Sequence, residues 1–185
     1  MKNSWQHLQT DVLILGSGGA GLCAVLHLMD HKPQPDVFLA VRGLFGKSGC
    51  TRMVQGGYNA VIDKSDSVEA HFLDTINGGQ WLNNQDLAWK MVCEAPERLL
   101  ELENRAGCFF DRNPDGTVHQ KPFAGQSFDR TVHKGDLTGI EIINRLSEQV
   151  AAMDNVIIGE EMRGVDLLFD RTGQKVSGAL LIDCL

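Results

Sequence analysis

A glycine-rich turn, Gly16-Ser17-Gly18-Gly19-Ala20-Gly21, constrains the fold of this chain more than any other feature of its 185 residues. The apolar run at residues 11–15 precedes the turn and predicts a buried parallel strand. Residues 20–30 carry apolar side chains at helical spacing, and residues 36–41 form a second apolar run. A strand, a helix and a strand within about thirty residues are typical of the βαβ unit in dinucleotide-binding folds.

Each glycine of such a turn has a separate physical role. The first permits the tight turn, the second lets the backbone approach a pyrophosphate, and the third lets the helix pack closely on the strand. The helix N-terminus adds N–H groups and a partial positive charge for the phosphates. The spacing alone is a weak signal, but its place between a predicted strand and a predicted helix makes it a strong one. The predicted pyrophosphate-binding residues are Gly16, Ser17, Gly18, Gly19, Ala20 and Gly21.

The end of the second strand leaves the choice of dinucleotide open. An acidic residue that binds ribose hydroxyls is usual there, but this sequence reads Val41-Arg42-Gly43. Arg42 is compatible with a phosphate-bearing ribose and hence with NADP. The turn and Arg42 therefore leave FAD and NAD(P) as alternatives.

Three further segments have the spacing of helices. Residues 67–76 begin at Ser67, a favourable N-cap, and residues 138–153 carry a regular apolar stripe. The longest segment is residues 84–105, where Pro96 is expected to kink or divide the helix. The face of this segment that we predict to be buried carries Leu87, Met91, Ala95, Leu99 and Leu102.

Turn signals predict two β-hairpins. They lie at residues 113–116 and 170–173, within hairpins spanning residues 109–120 and 165–182, while residues 121–135 read as irregular. The predicted fold class is therefore α/β: a Rossmann-like domain with a mainly parallel sheet and an added β-hairpin layer.

The charge balance excludes nucleic acid as a partner. The chain has 17 Lys and Arg against 24 Asp and Glu, and it has no basic run, whereas phosphate neutralisation needs a basic footprint. No apolar segment is long enough to cross a bilayer, and residues 1–10 lack the apolar core of a signal peptide. We expect a cytoplasmic protein, and peripheral attachment to a membrane through a partner subunit is left open.

The five cysteines are dispersed, and no two have the spacing of a metal knuckle or a redox pair. The sequence therefore predicts no metal site, and the odd count fits a reducing compartment. Cys23 and Cys93 fall on apolar helix faces and are predicted to be buried.

The long loop at residues 43–57 carries the first family resemblance. Its segment Gly46-Lys47-Ser48-Gly49-Cys50-Thr51-Arg52-Met53-Val54-Gln55-Gly56-Gly57 resembles the Ser-His-Thr…Gln-Gly-Gly segment of succinate dehydrogenase and fumarate reductase flavoproteins, and more distantly that of L-aspartate oxidase. Lys121-Pro122-Phe123-Ala124-Gly125-Gln126-Ser127 is similar to Arg-Pro-Phe-Gly-Gly-Gln-Ser of the dehydrogenase branch. Arg130-Thr131 and Asp136-x-Thr138-Gly139 keep the same spacing, so the resemblance covers nearly the whole chain.

The resemblance implies that the dinucleotide is FAD. It places Val41 and Arg42 near the adenosine ribose, and Met162 and Arg163 near the adenine. Phe123 would line the substrate site, with a core phenylalanine as the equal alternative. The loop residues that would contact FAD are Lys47, Ser48, Cys50, Thr51, Gln55, Gly56 and Gly57.

Cys50 is a departure from the family pattern. It stands, after an additional Gly49, where the branch has its FAD-linked histidine. A histidyl link is therefore excluded, and non-covalent FAD is expected, with a cysteinyl link through Cys50 as the alternative.

The family's capping domain and the final return of its FAD domain are missing before Leu185, so we expect residues 1–185 to be the N-terminal part of an FAD-binding domain. The resemblance implies hydride transfer between flavin and a dicarboxylate-like substrate, and a partner subunit, iron–sulfur or other, for electron transfer. His119 and His133 do not match the family's catalytic positions, so no catalytic residue is assigned. A truncated or non-catalytic flavin-binding module that needs a second chain is one alternative. An NAD(P)-dependent dehydrogenase is another, but it leaves the Gln55–Gly57 segment unexplained.

Overall fold

The structure is a computed structural model that describes residues 5–184. Helices and strands are mixed along these residues. The predictions about residues 1–10 and Leu185 lie partly outside the described residues. The elements are β1 (Val12–Leu15), α1 (Gly19–Leu28), β2 (Val37–Ala40), a 3₁₀-helix (Thr51–Met53), β3 (Tyr58–Asn59), α2 (Val68–Gly78), α3 (Gln85–Asn104), β4 (Gln120–Lys121), β5 (Thr131–Val132), α4 (Thr138–Ala151), β6 (Val156–Gly159), β7 (Met162–Phe169) and β8 (Val176–Asp183). The predicted α/β class is confirmed.

The described chain divides into two compact units. Unit 1 contains the described residues up to Cys50 together with those from Leu146 onward, and unit 2 is Thr51–Arg145.

Unit 1 is built on a parallel sheet with the strand order β1-β2-β6. The central strand β2 pairs Val37 with Val12 on one side and with Val156 on the other. All four residues of β2 are buried. A central parallel strand is covered on both faces, which explains why residues 37–40 read as an uninterrupted apolar run. The predicted βαβ unit is therefore confirmed.

The second of the two predicted hairpins lies in unit 1, where β7 pairs with β8 in antiparallel order. Its turn is held by the Asp170 carboxylate, which accepts hydrogen bonds from the Thr172 and Gln174 amides. Gly173 supplies a positive φ of 69°, which favours glycine. The predicted hairpin is confirmed, and its first strand begins earlier than expected, at Met162.

Unit 2 contains a small antiparallel sheet with the order β3-β5-β4. In the central strand, Val132 pairs with both Tyr58 and Gln120. The expectation that residues 121–135 are irregular was wrong at this point, because β5 lies within them. Strands of two residues show no periodicity in a sequence.

The helix α3 continues through Pro96 as one helix, so the division that Pro96 could cause does not occur, while a kink there stays a prediction. Leu87 and Met91 are 66% and 53% exposed, so the predicted buried face was wrong at these positions. The buried stripe consists of Ala88, Val92, Ala95, Leu99 and Leu102. Ala88 and Val92 follow directly after Leu87 and Met91, which we predicted to be buried. Their side chains are smaller, so hydrophobicity alone favoured the larger neighbours.

The prediction of a buried Cys93 on α3 was also wrong, because this cysteine is exposed. Its position follows Val92 and lies off the buried stripe. Cys23 on α1 has intermediate exposure.

The predicted hairpin at residues 109–120 is a turn with short pairing beside it, where the His119 amide donates to the Asp111 carbonyl at 2.8 Å. The Asn113 amide donates to the Thr117 carbonyl at 2.8 Å, and a single antiparallel bridge joins Arg112 to Val118.

Within residues 5–184, every helix is too short or too polar to cross a membrane.

Candidate functional site

The glycine turn of unit 1 has a backbone that side chains would disrupt. Gly16 has a φ of +105°, which favours glycine, and its amide donates to the Ala40 carbonyl at 2.8 Å. A Cβ at Gly21 would overlap the Gly16 carbonyl oxygen and lie 3.4 Å from Ile14 Cγ2. The first and third glycines of the motif are therefore required by the geometry of the turn itself.

The start of α1 is arranged to receive an anion. Gly18 is the extended N-cap residue, and within this described stretch no acidic side chain lies in the first turn. The first N–H groups of any α-helix lack intrahelical acceptors and carry a partial positive charge. Ser17 is buried beneath the turn. This backbone is compatible with the predicted pyrophosphate site, which stays a prediction.

The structure brings Val41 and Met162 together, although they are distant in sequence. The Met162 amide donates to the Val41 carbonyl at 2.8 Å, and the Val41 amide donates to the Gly159 carbonyl at 2.8 Å. Val41 is buried, and these two hydrogen bonds engage both of its backbone groups. Arg42 and Arg163 have exposed side chains.

The loop at residues 43–50 is anchored by an acidic residue that we did not predict. Glu160 Oε1 accepts a hydrogen bond from the Phe45 amide at 2.6 Å. A Cβ at Gly49 would lie 3.9 Å from Gly18 Cα, so the loop passes beside the glycine turn. The available signal was the pair Glu160-Glu161 directly after the strand β6. Three predicted residues of the loop, Lys47, Ser48 and Cys50, are exposed.

Unit 2 contains an open pocket of about 280 Å³. Its lining includes the predicted residues Gln55, Gly56, Gly57 and Phe123. A Cβ at Gly56 would lie 2.8 Å from Phe123 Cε2, so the ring rests directly on the glycine backbone. Phe123 is 54% exposed and is not a core residue. The remaining lining residues are Val54, Asn59 and Thr131.

The described side chains that line this pocket include hydrogen-bonding groups but no charged ones. Thr131 Oγ1 lies 2.8 Å from Asn59 Oδ1 and 3.3 Å from Gln126 Oε1. Its single proton can serve one of these oxygens. Among the described lining residues, none carries an ionised side chain. The pocket therefore offers amides, a hydroxyl and an aromatic ring. Thr51, also predicted, begins the 3₁₀-helix and is half-buried.

A buried charge cluster lies elsewhere in unit 2. The Arg130 side chain is fully buried and donates two hydrogen bonds to Asp66, each at 2.8 Å, and a further one to Asp74. Burial opposes ionisation of Asp66, but hydrogen bonds from Arg130 and the Ser67 amide hold the pKa of Asp66 below its usual value. The pKa of Asp74 is lowered in the same way, against burial, by Arg130 and Ser127.

His71 is buried beside this cluster, and its pKa lies below its usual value. Burial lowers the pKa of His71, the charge of Arg130 lowers it further, and Asp66 and Asp74 act in the opposite direction. A cationic His71 would have to lose its solvation next to a fixed guanidinium.

We expect this histidine to make the protein acid-sensitive. Because the pKa of His71 is lower in the folded state, the unfolded chain binds more protons below the ordinary value of 6.5. The free energy of unfolding should fall as the pH drops from about 7.5 to about 5.5. Urea unfolding at both values should show a smaller fall for His71→Gln than for the wild type. The surface variant His31→Gln is the control, and an equal fall in all three proteins would contradict the prediction.

His119 and His133 form a contact that the sequence did not indicate. His119 Nδ1 lies 2.7 Å from His133 Nε2, and His133 Nδ1 lies 3.1 Å from Asp111 Oδ2. The two histidines follow the register of β4 and β5. No signal could reveal the pair, because those strands were themselves not predicted.

Comparisons with known proteins agree with this geometry. Residues 11–183 match the model of a family described as FAD binding domain. An uncharacterised FAD-dependent oxidoreductase of Methanocaldococcus jannaschii is 44% identical over 176 residues, covering 95% of this chain and 31% of the relative. A fumarate reductase (CoM/CoB) subunit of Methanothermobacter marburgensis is 45% identical over 157 residues, covering 83% and 28%.

One solved structure also has a similar fold. The E. coli quinol fumarate reductase superimposes with a TM-score of 0.89 at 32% identity, over 97% of this chain and 30% of that one. This chain therefore spans less than a third of the length of each of these proteins.

Proposed function

Because the chain belongs to the FAD-binding domain family that residues 11–183 match, we propose that it is the FAD-binding portion of an oxidoreductase of the succinate dehydrogenase and fumarate reductase type. The family is one of flavin-dependent oxidoreductases, and its cofactor is FAD. The observation that carries the proposal is the glycine turn of the matched segment, where Gly21 admits no Cβ against Gly16.

The residues of unit 1 fit the adenosine and diphosphate end of FAD. The turn and the N-terminus of α1 would hold the diphosphate through backbone N–H groups. Val41, Arg42, Met162 and Arg163 are proposed to surround the adenosine, since backbone hydrogen bonds bring the first and third of them together. Lys47, Ser48 and Cys50 are proposed to contact the cofactor from the adjacent loop.

The residues of unit 2 are proposed to contact the flavin end and the substrate. Thr51, Gln55, Gly56 and Gly57 would contact the ribitol and the ring, and backbone N–H groups there would stabilise negative charge on the reduced ring. Phe123 would line the substrate site. The support is that Phe123 and the Gln55–Gly57 segment line one pocket.

We propose a dicarboxylate-like substrate, because a relative 45% identical to this chain is named a fumarate reductase subunit. When bound, FAD supplies hydride-transfer chemistry at its ring. No residue of this chain is assigned as the acid or base. The runner-up is a non-catalytic or truncated flavin-binding module that needs a second chain.

We also propose an electron-transfer partner and a cytoplasmic location for this chain. The M. marburgensis relative is named a subunit, which supports an electron-transfer partner, iron–sulfur or other, for this chain. We propose a cytoplasmic protein whose attachment to a membrane, where it occurs, is through that partner.

Turnover by the isolated chain tests whether the chain is catalytic without a second chain. We expect the FAD-loaded chain to show neither fumarate reduction with a reduced dye nor succinate oxidation with an oxidised one, because no acid or base is assigned to it. Turnover above that of free FAD would remove the module hypothesis. Fumarate-dependent turnover restored by a second chain would support the proposed reaction.

FAD is expected to be held without a covalent bond. Cys50 is exposed in its loop, and a thioether there is the alternative. On a denaturing gel, the flavin fluorescence of the loaded wild type should leave the protein band. The matched variant Cys50→Ser should retain the same FAD content before denaturation. Fluorescence that stays on the wild-type band but is lost from Cys50→Ser would establish the cysteinyl link instead.

A further inference from the structure

The loop at residues 122–130 joins β4 to β5 and carries Phe123 into the pocket. A turn hydrogen bond from the Gln126 amide to the Phe123 carbonyl closes its first part. The residue directly after the loop, Thr131, is the first of β5 and also lines the pocket. The shape of this loop therefore decides where two pocket side chains stand.

Two carboxylates fix the loop at its middle and at its end. Asp74 on α2 accepts hydrogen bonds from the Ser127 amide at 2.8 Å and from the Ser127 hydroxyl at 2.9 Å. The same oxygen of Asp74 accepts from Arg130. Asp66 takes the other edge of the guanidinium in a bidentate pair. The loop and α2 are thus joined directly, by Ser127 and Asp74, and also through the buried Arg130.

The anchorage is rigid because its groups are buried and matched in shape. The side chains of Arg130 and Asp66 are 0% and 1% exposed. A guanidinium presents a planar fork of donors that suits a carboxylate, whereas an ammonium group is a point charge on a flexible stem. The Arg130 carbonyl also accepts from the Ala60 amide at 3.2 Å, next to the pocket residue Asn59.

We propose that Arg130, together with Asp66 and Asp74, is a positioning residue of the pocket. The cluster fixes loop 122–130 on α2 and so sets the places of Phe123 and Thr131 against the substrate. None of these three residues lines the pocket. Their effect on a bound substrate is therefore transmitted through the loop. The identity of the ligand, a dicarboxylate, rests on the proposed function.

The test compares variants of the FAD-loaded protein with fumarate as the probe. Arg130→Lys keeps the charge but loses the fork, and the dissociation constant of fumarate, read from the flavin spectrum, should rise about tenfold or more. The dissociation constant of FAD should stay within about twofold. Ser127→Ala is a milder variant that removes one hydrogen bond to Asp74 and should raise the fumarate constant by a smaller factor. Arg98→Lys is the matched control, because Arg98 is a half-buried arginine of α3 that pairs with Glu101 and does not line the pocket, and it should change neither constant.

Hydrogen exchange gives a readout that does not depend on fumarate. The Ser127 amide should exchange faster in Arg130→Lys than in the wild type, while exchange within α3 is unchanged. If wild-type protein shows no response to fumarate, the proposed substrate fails, and faster exchange confined to the loop would still support the positioning role. Unchanged fumarate binding in both variants, or unchanged exchange at Ser127, would overturn it. A parallel loss of FAD, fumarate and loop protection would reduce Arg130 to a general structural residue and would also overturn it.

Discussion

A Gly21→Ala protein should lose its FAD. The added Cβ would overlap the Gly16 carbonyl oxygen, and it would also lie 3.2 Å from the Gly16 carbonyl carbon. Both are backbone atoms of the turn, so no side-chain rotation can relieve the overlap. Either α1 moves away from β1 or the turn changes shape, and each change moves the N–H groups that would hold the diphosphate. The expected cost in stability is about 1–3 kcal/mol, in addition to the loss of the cofactor.

Flavin content after purification and the free energy of unfolding measure these effects separately. Gly78→Ala is the matched control, because Gly78 ends α2 and a Cβ there meets no atom within 4 Å. It should keep its flavin and its stability. A Gly21→Ala protein with full flavin content would contradict the assignment of the turn as the diphosphate site.

An Asp66→Ala protein should be strongly destabilised. The substitution removes both acceptors of a bidentate pair and leaves the fully buried Arg130 with Asp74 alone. Breaking a buried ion pair from one side costs about 3–5 kcal/mol, because the remaining charge stays buried with less compensation. The Ser67 amide at the start of α2 also loses the bond it donates to Asp66.

Urea unfolding near neutral pH measures this loss. Asp63→Ala is the control, since Asp63 forms its hydrogen bonds with Ser65 at the surface just before α2. Its effect should be far smaller. Equal losses in the two variants would show that the buried pair with Arg130 adds nothing beyond a local turn.

The sequence was most informative where local rules and the final packing agree. The βαβ unit could be predicted because β2 is buried on both faces and the glycine turn must occur at a strand–helix junction. The N-cap at Ser67 followed from a single hydroxyl, and the structure has its side chain accepting from the Ala70 amide. These features depend on residues that are close in the chain.

The features that were missed depend on strand pairing and tertiary packing, which local sequence rules do not describe. In the sheet β3-β5-β4 each strand has only two residues, and β3 and β5 pair residues more than seventy positions apart. The contact between His119 and His133 depends on that sheet. The Arg130 cluster joins residues 56 and 64 positions apart. On α3, packing selected Ala88 over its larger neighbour Leu87, a choice that hydrophobicity alone could not indicate.

FAD retention by the purified chain tests the central claim most directly. The chain is mixed with an excess of FAD, passed through a desalting column, and the protein fraction is examined for flavin absorbance, with NADP in a parallel sample. We expect FAD to stay with the protein in nearly equimolar amount and NADP to be removed on the column. A folded protein that emerges free of flavin, or that retains NADP in place of FAD, would contradict it.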